Sequence, residues 1–577
     1  ESSLLSAPEL AAGGAMGDDG ATSDVAFAAF HSSATRLVSD DAAEDTVSHL
    51  AAVGASLATM EDSVIERSLD FILFPVVGVM RRASEPETND ADANPKARAR
   101  RIKTLEESLR CVSAVLRRLE PGMGEPAFIG DLFCDVVAVL ARSGSDPSLD
   151  DPSSGTRSSS SSADLEDLRL AAVTCASDVV RLIRPRTTHA RALLADKNLP
   201  AVGYATSLLV RVAHLEASAG TKGSKAIRCA ALATLRDLVR NTDDPDAWSF
   251  FLPGVVSGLA KALHAASGSR SDEGAGPAGA ADDSASTEAA IEALTAIVTC
   301  VLDDTCNVVQ QRDTEHGGDA GDDVVERLRR MAEDGREGAS VLRESSSRVD
   351  EDEDEDDVAS DGPPPAGADT SQAAAHLKVR RTARWLKETA PRVEQALAAA
   401  LTPAVSHRKP SVRRTAALAA AAVIKQCSRT LRGARRTLLE CTLVARGDAW
   451  DAVSGPATVV LDGLRSDGYV DDEVLDSIVA EALGDLPKLV RRGAAGGDGG
   501  RACAQRAIAA MATAGSARVA RMFLTKYAVR SVTCAGLAQC FAVSADLASV
   551  GRSNELRALG QLSGVTNGAG GVDTDAH

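Results

Sequence analysis

Apolar residues recur at helical spacing in one segment after another along this chain of 577 residues, and this repetition limits its fold most. Between residues 104 and 120 the apolar stripe consists of Leu105, Leu109, Val112, Leu116 and Leu119. Similar stripes follow over 165–182, 227–238 and 291–301. An apolar residue at every third or fourth position is typical of a helix that buries one face. Because no long alternation of period two is present, the pattern predicts helices and no sheet.

The composition indicates how these helices are assembled. Aromatic residues make up only 3% of the chain and hydrophobic residues 44%, so Ala, Leu and Val must form most of the core. Such side chains allow close packing of helix on helix. A compact architecture of this length would need roughly three or four domains. A stack of repeats needs no such division, because it lengthens without enlarging its core.

One stretch shows the predicted repeat in most detail. Residues 410–427 begin with Pro and Ser, which are favoured at a helix start, and Gly433 is expected to end this helix. A second helix is expected to run through Leu438, Leu439, Thr442 and Leu443, with Asp448 opening the next unit. The fold class predicted is an all-α, HEAT/armadillo-type α-solenoid, a right-handed superhelix of antiparallel helix pairs. We expect Val412 and Leu439 to be buried between the paired helices of one repeat.

Low-complexity segments divide the chain. The largest contains eight consecutive acidic residues, Asp350–Asp357, followed by prolines, and too few apolar groups to offset the entropy of ordering. The predicted organisation is a disordered N-terminus at 1–24, a helical block at 25–311 with low-complexity loops at 142–163 and 266–286, a disordered acidic linker at 312–374, a second helical block at 375–560 and a disordered tail at 561–577.

Charge and composition narrow the classes of partner. A net charge of −19 disfavours wholesale binding of nucleic acid, which depends on basic residues that neutralise phosphates. No run of eighteen apolar residues is present, so we expect no membrane span. The eleven cysteines are odd in number and scattered over apolar helix faces, which is typical of reduced intracellular thiols. We expect a cytoplasmic protein that can also be nuclear.

Motifs for catalysis or cofactor binding are absent or misplaced in the sequence. Gly274–Gly279 fits the dinucleotide fingerprint, but it lies in a low-complexity loop with a proline inside, without the required strand and helix. The nine histidines are dispersed without metal-ligand spacing. We therefore predict no catalytic, cofactor-binding or metal site, and a protein that is not an enzyme.

Three polar features remain as candidates for interaction or regulation. Lys96–Lys103 is a basic cluster that fits a nuclear localisation signal, an anion patch or a solvated loop leading into a helix. Arg408, Lys409, Arg413 and Arg414 form a basic ridge that is a candidate protein contact. Ser347 has acidic residues at the third and fourth positions after it, a pattern that acidophilic kinases favour, although a solvated spacer is the favoured interpretation.

Three stretches of the chain, taken in order, resemble one family. The first is the apolar segment Leu69–Pro75, whose helix is expected to end ahead of the proline. The second is Phe251–Leu259, which contains Phe-Leu-Pro-Gly at an expected helix start, followed by a helix over Ala289–Leu302 that ends before Asp303. The third is Arg381–Ala390, a Trp-containing helix behind an acidic insertion.

Smaller matches follow the third stretch. They are His407 with Val412-Arg413, Cys427 with Ser428 and Leu431, and Leu438-Leu439-Glu440. The chain departs from the family where His407-Arg408-Lys409-Pro410 stands in place of a His-Trp-Lys sequence. In order and spacing these stretches resemble the Tel-two-interacting protein one family over about residues 25–545, roughly the N-terminal half of that family's length.

The resemblance implies a function that composition and periodicity do not show. Members of this family are scaffold subunits of the TTT co-chaperone complex, with a Tel-two-type subunit and a third HEAT subunit. That complex works with the ninety-kilodalton heat-shock chaperone and a RuvB-like ATPase assembly. It supports the maturation of phosphatidylinositol-3-kinase-related kinases of the TOR, ATM and ATR types. The expected function is therefore a scaffold in growth signalling and DNA-damage signalling.

Two other hypotheses fit the composition. A karyopherin-like transport receptor is also an acidic HEAT solenoid, and it would bind the GTP form of Ran. An enzyme with an unrecognised site would need a compact catalytic domain, which the helical repetition argues against.

Overall fold

The computed structural model describes residues 18–38, 45–85, 95–144, 159–218, 223–268, 284–308, 379–470, 472–481 and 509–515. Within these ranges all the regular secondary structure is helical, which confirms the predicted all-α solenoid class. The helices with defined bounds are α1 (Asp18–Val38), α2 (Thr46–Thr59), α3 (Asp62–Arg67), α4 (Leu69–Ser84), α5 (Pro95–Leu116), α6 (Pro126–Gly144), α7 (Ser159–Leu182), α8 (Thr188–Leu193), α9 (Leu199–Ser218), α10 (Lys225–Thr242), α11 (Pro245–Gly268), α12 (Ser284–Leu302), α13 (Ala383–Ala404), α14 (Pro410–Cys427), α15 (Arg435–Arg446) and α16 (Asp451–Ser466).

The contacts divide the chain into two units, 1–396 and 397–577. In the first unit the long helices form five consecutive pairs: α1 with α2, α4 with α5, α6 with α7, α9 with α10, and α11 with α12. The first helices of successive pairs pack on one another, and so do the second helices. Each pair therefore buries its apolar stripe against its own partner and its neighbours, as a helical repeat stack requires.

The predicted stripes lie in the core of this first unit. Leu109 and Leu116 of α5 are fully buried, as are Ile291 and Leu294 of α12. Helix α12 is long and apolar enough, by composition alone, to cross a membrane, which the sequence pattern did not predict. Most of α12 is buried in the protein, where it packs against α10 and α11, as the core helix of a repeat stack does.

The two prolines that the sequence analysis placed at helix boundaries lie inside helices. Helix α4 continues through Pro75 to Ser84, so the expectation that it ends ahead of the proline was wrong. Pro253 likewise lies in the middle of α11, which begins at Pro245, so Phe251–Leu259 does not start a helix. An interior proline removes one backbone hydrogen bond and costs about 3 kcal/mol. Buried side chains on both sides of each proline stabilise the continuous helix against that cost.

In the second unit, α14, α15 and α16 pack on one another. Val412 of α14 and Leu439 of α15 are 0% and 2% exposed, which confirms that this pair of helices was placed correctly. Helix α14 ends at Cys427 and a turn occupies 428–434, so the helix ends earlier than the expected stop near Gly433.

Other boundaries differ in detail from the predicted ones. Helix α1 begins at Asp18, inside the segment 1–24 for which disorder is predicted. The unit boundary at 396 lies within α13, beyond residue 375 where the second block is predicted to begin. Arg381 explains why the chain just before α13 belongs to the first unit. Its guanidinium donates a hydrogen bond of 2.6 Å to Asp246 of α11. Asp350–Asp357 lies outside the described residues.

Candidate protein-contact surface

The basic ridge predicted from sequence lies at the turn between α13 and α14. Pro410 is the first residue of α14, where its missing N–H removes no helical hydrogen bond. Lys409 precedes it in an extended conformation, and its backbone N–H donates to Nδ1 of His407 over 3.1 Å. This local structure places the ridge residues on the turn and on the first turn of the helix.

Arg413 does not belong to the exposed ridge. Its Nε and Nη2 donate to the two carboxylate oxygens of Asp448 over 2.6 and 3.0 Å, a bidentate ion pair. Its Nη1 donates to the backbone carbonyls of His407 and Arg408 over 2.8 and 3.0 Å. The side chains of Arg413 and Asp448 are only 12% and 6% exposed. Arg413 therefore fixes the turn before α14 to the turn before α16, and it is not available to a partner.

The remaining three ridge residues, Arg408, Lys409 and Arg414, are exposed. Successive residues of a helix point about 100° apart, so Arg414 faces solvent while its neighbour is turned inward. Trp450 is 60% exposed, and its backbone N–H donates to Oδ1 of Asp448 over 3.0 Å. The Arg413 ion pair thus holds the basic turn and an exposed tryptophan at one edge of the second unit. We call Arg408, Lys409, Arg414 and Trp450 the basic–tryptophan surface.

The motif search did not find Trp450. Its signal in the sequence is a tryptophan directly before a helix start, in a chain that has only three tryptophans. Arg and Trp are enriched where proteins bind one another, because both bury a large surface while keeping a polar or charged group. The exposed Trp450, which is tied to the basic turn through Asp448 and Arg413, can therefore anchor an acidic protein partner.

The other basic cluster, Lys96–Lys103, has a different environment. It lies in α5, so the solvated loop considered from the sequence is replaced by a helix. Arg101 donates a hydrogen bond of 2.6 Å to the carbonyl of Ala83, at the end of α4. Lys103 forms ion pairs with Glu106 and Glu107 on its own helix. These two residues serve the packing and charge balance of α5, whereas Arg98 and Arg100 remain exposed.

The described titratable groups do not form a recognisable reaction centre. No group of three His, Cys, Asp or Glu able to hold a metal ion occurs among the residues with assigned positions. Cys111, Cys175 and Cys441 are buried thiols. Burial raises the pKa of Cys111, Cys175 and Cys441 to about 12, so these thiols stay protonated at neutral pH. Ser347 and Gly274–Gly279 lie outside the described residues.

Comparison with known proteins agrees with this architecture. A family model described as the TTI1 N-terminal TPR domain matches residues 27–449, which is most of the chain and includes α14 and α15. A search of curated proteins returned no match.

Proposed function

The chain belongs to the family of the TTI1 N-terminal TPR domain, and we propose that it acts as a non-catalytic scaffold of the TTT co-chaperone complex. In this role it would support the maturation and stability of phosphatidylinositol-3-kinase-related kinases. The observation that carries the proposal is the family match over residues 27–449. The stack of helix pairs supports it, because a solenoid offers a long surface suited to large protein ligands.

The partners we propose are a Tel-two-type subunit, a third HEAT subunit of the complex, kinase clients and the heat-shock chaperone machinery. The basic–tryptophan surface is the proposed contact for an acidic segment of one of them. Its positive charge on a chain of net charge −19 would steer an acidic partner toward this edge. We also propose a cytoplasmic location with access to the nucleus, which microscopy of a fluorescent fusion would test.

The test is co-purification of the tagged, full-length protein with its partners, followed by mass spectrometry. We expect the two other TTT subunits and at least one kinase client to be recovered. Failure to recover either TTT subunit would refute the proposal. Recovery of GTP-bound Ran in their place would support the transport-receptor alternative.

A charge-reversal variant tests the contact surface separately. Changing Arg408, Lys409 and Arg414 to Glu, with Arg413 left intact, should reduce recovery of one partner about tenfold, since unlike charges become like charges. The circular-dichroism spectrum should not change, because the three side chains are exposed.

The matched control changes three other exposed arginines, Arg67, Arg191 and Arg240, to Glu and so alters the net charge equally. This control should bind partners normally. Equal recovery with both variants would remove the basic–tryptophan surface from the proposal.

A further inference from the structure

An apolar groove of about 370 Å³ lies between α9 and α11 in the first unit. Residues of both helices line it over several turns, among them Gly203, Val210, Phe250, Gly254, Gly258 and Lys261. It is separate from the basic–tryptophan surface, which belongs to the other unit. Neither the Arg413 ion pair nor the proposed partner contact uses these residues.

Three glycines determine the shape of the groove. A Cβ on Gly203 would lie 2.5 Å from the ring of Phe251, and a Cβ on Gly258 would lie 2.5 Å from the side chain of Val210. The two helices can therefore approach closely only because these positions carry no side chain. Gly254 lies between those two contacts, and a Cβ added there would meet no atom within 4 Å. The groove is the space left over Gly254.

Pro253 precedes Gly254 in α11. It has no N–H for the carbonyl of Ser249, so α11 lacks one backbone hydrogen bond at this point. The Phe-Leu-Pro-Gly sequence thus has a local role in the fold that differs from starting a helix. It places Gly254, which has no side chain, one helical turn after Phe250, which is 39% exposed.

The walls of the groove are apolar and its rim is basic. Phe250 meets Phe251 edge to face with ring centroids 5.3 Å apart, and Phe251 meets the buried Trp248 at 5.9 Å. Arg211, His214 and Lys261 are exposed at the rim. No acidic residue lines the groove in the described part of the chain, although the sequence contains 82 of them. A basic rim on so acidic a chain sets this groove apart from the rest of the surface.

We propose that the groove between α9 and α11 binds an amphipathic, acidic helix of a protein partner. Apolar side chains at spacings of three and four residues would enter over Gly254 and pack on Phe250 and Val255. Carboxylates beside them would face Lys261 and the other basic groups of the rim. The pattern is that of an amphipathic helix laid in a groove, in which apolar anchors give affinity and charges give orientation. This inference goes beyond the scaffold function, and its test needs no TTT subunit.

The direct test uses the full chain and a fluorescent synthetic peptide of roughly 18 residues, long enough to form a helix. The peptide carries Leu and Phe at i, i+3 and i+7 and Glu at the flanking positions. Fluorescence anisotropy should show saturable binding. A peptide with Lys in place of Glu, and another with Ala in place of the anchors, should each bind at least about tenfold more weakly.

Gly254→Leu tests the location of binding. A Cβ at this position meets no atom within 4 Å, and the rest of the side chain would enter the groove of about 370 Å³, so the protein should fold normally and bind the Glu peptide at least about tenfold more weakly. The matched control is Gly463→Leu in α16, also a helical glycine with open space around its Cβ. This control should bind the peptide as the unchanged protein does. Lys261→Glu should weaken binding by removing an attraction at the rim and adding a repulsion.

Several results would overturn the proposal. Absence of binding by any peptide, equal binding of the Glu and Lys peptides, or equal binding by Gly254→Leu and Gly463→Leu would each do so. Binding to phosphatidylserine vesicles without binding to the Glu peptide would assign the groove to lipid instead. Loss of TTT subunits in co-purification, with peptide binding retained, would contradict the proposed function alone.

Discussion

The helices around the groove and the helices of the second unit pack against one another in two different ways. Between α9 and α11, large side chains lie against glycines, as where the ring of Phe251 crosses Gly203. Between α14, α15 and α16, small residues meet one another in a cluster of Ala417, Ala445, Val453 and Ala457. Both kinds of packing bring the helices close together. Between α9 and α11 an open space remains over Gly254.

The difference extends to what fixes the helices in position. In the first unit, Trp248 is fully buried and its indole N–H donates to Oγ1 of Thr242 over 2.7 Å, so one large residue fixes the turn between α10 and α11. Alanines have no such directional group, and each buries little surface. In the second unit the Arg413–Asp448 ion pair is a directional contact of this kind. A helix face built from alanine therefore relies more on a polar contact at its end.

The largest effect is expected from removing the tryptophan. Trp248→Ala should lower the free energy of unfolding by about 3–5 kcal/mol, since a fully buried ring is lost and a cavity remains. Urea denaturation with hydrogen exchange would locate the loss in α9–α12. The control is Phe250→Ala on the same helix, whose partly exposed ring should matter much less. Equal effects of the two changes would contradict the assigned role of Trp248.

Leu439→Ala tests the corresponding packing in the second unit. Leu439 is 2% exposed, so its truncation should cost about 2–5 kcal/mol. Hydrogen exchange should increase in α14 and α15 with little change in α9–α12, because repeats interact mainly with their neighbours. A measured loss below about 0.5 kcal/mol would mean that the alanine-rich interface adapts to the cavity.

The Arg413–Asp448 ion pair allows a test of whether the alanine-rich helices of the second unit depend on a polar contact. Arg413→Met leaves the carboxylate of Asp448 in a mostly buried site without its bidentate partner, and should cost about 3 kcal/mol. Removing both charges with Arg413→Met and Asp448→Leu should recover much of that loss. Denaturation of the single and double variants measures the coupling. Additive losses would show that the two side chains act independently.

The smallest changes in the free energy of unfolding are expected from substituting two glycines, and the two changes should have opposite signs. Gly203→Ala should destabilise by about 1–3 kcal/mol, because its methyl group would meet the ring of Phe251. Gly254→Ala should stabilise by about 0.5–1 kcal/mol, since alanine is the better helix former and nothing obstructs it. Thermal unfolding of the two variants would measure whether one is destabilised and the other stabilised. Stabilisation by both would mean that α9 and α11 do not approach closely.

Much of the fold could be predicted because helical periodicity is local. The burial of Val412 and Leu439 follows from the spacing of apolar residues, and the start of α14 follows from Pro410. The interior prolines were not predicted correctly. Whether a helix continues through Pro75 depends on the burial of its flanking residues, which neighbouring helices supply.

At the basic–tryptophan surface, too, part of the structure follows from the sequence and part only from the packing of the helices. From the sequence it follows that basic residues gather at 408–414 and that helices of small residues surround them. The sequence could not separate Arg413 from Arg414, which have the same side chain and adjacent places. The packing of the helices turns Arg413 onto Asp448, 35 residues further along the chain, and leaves Arg414 in solvent. The physical reason is that periodicity records which face of a helix is apolar, whereas the partner of a polar group is set by how distant segments meet.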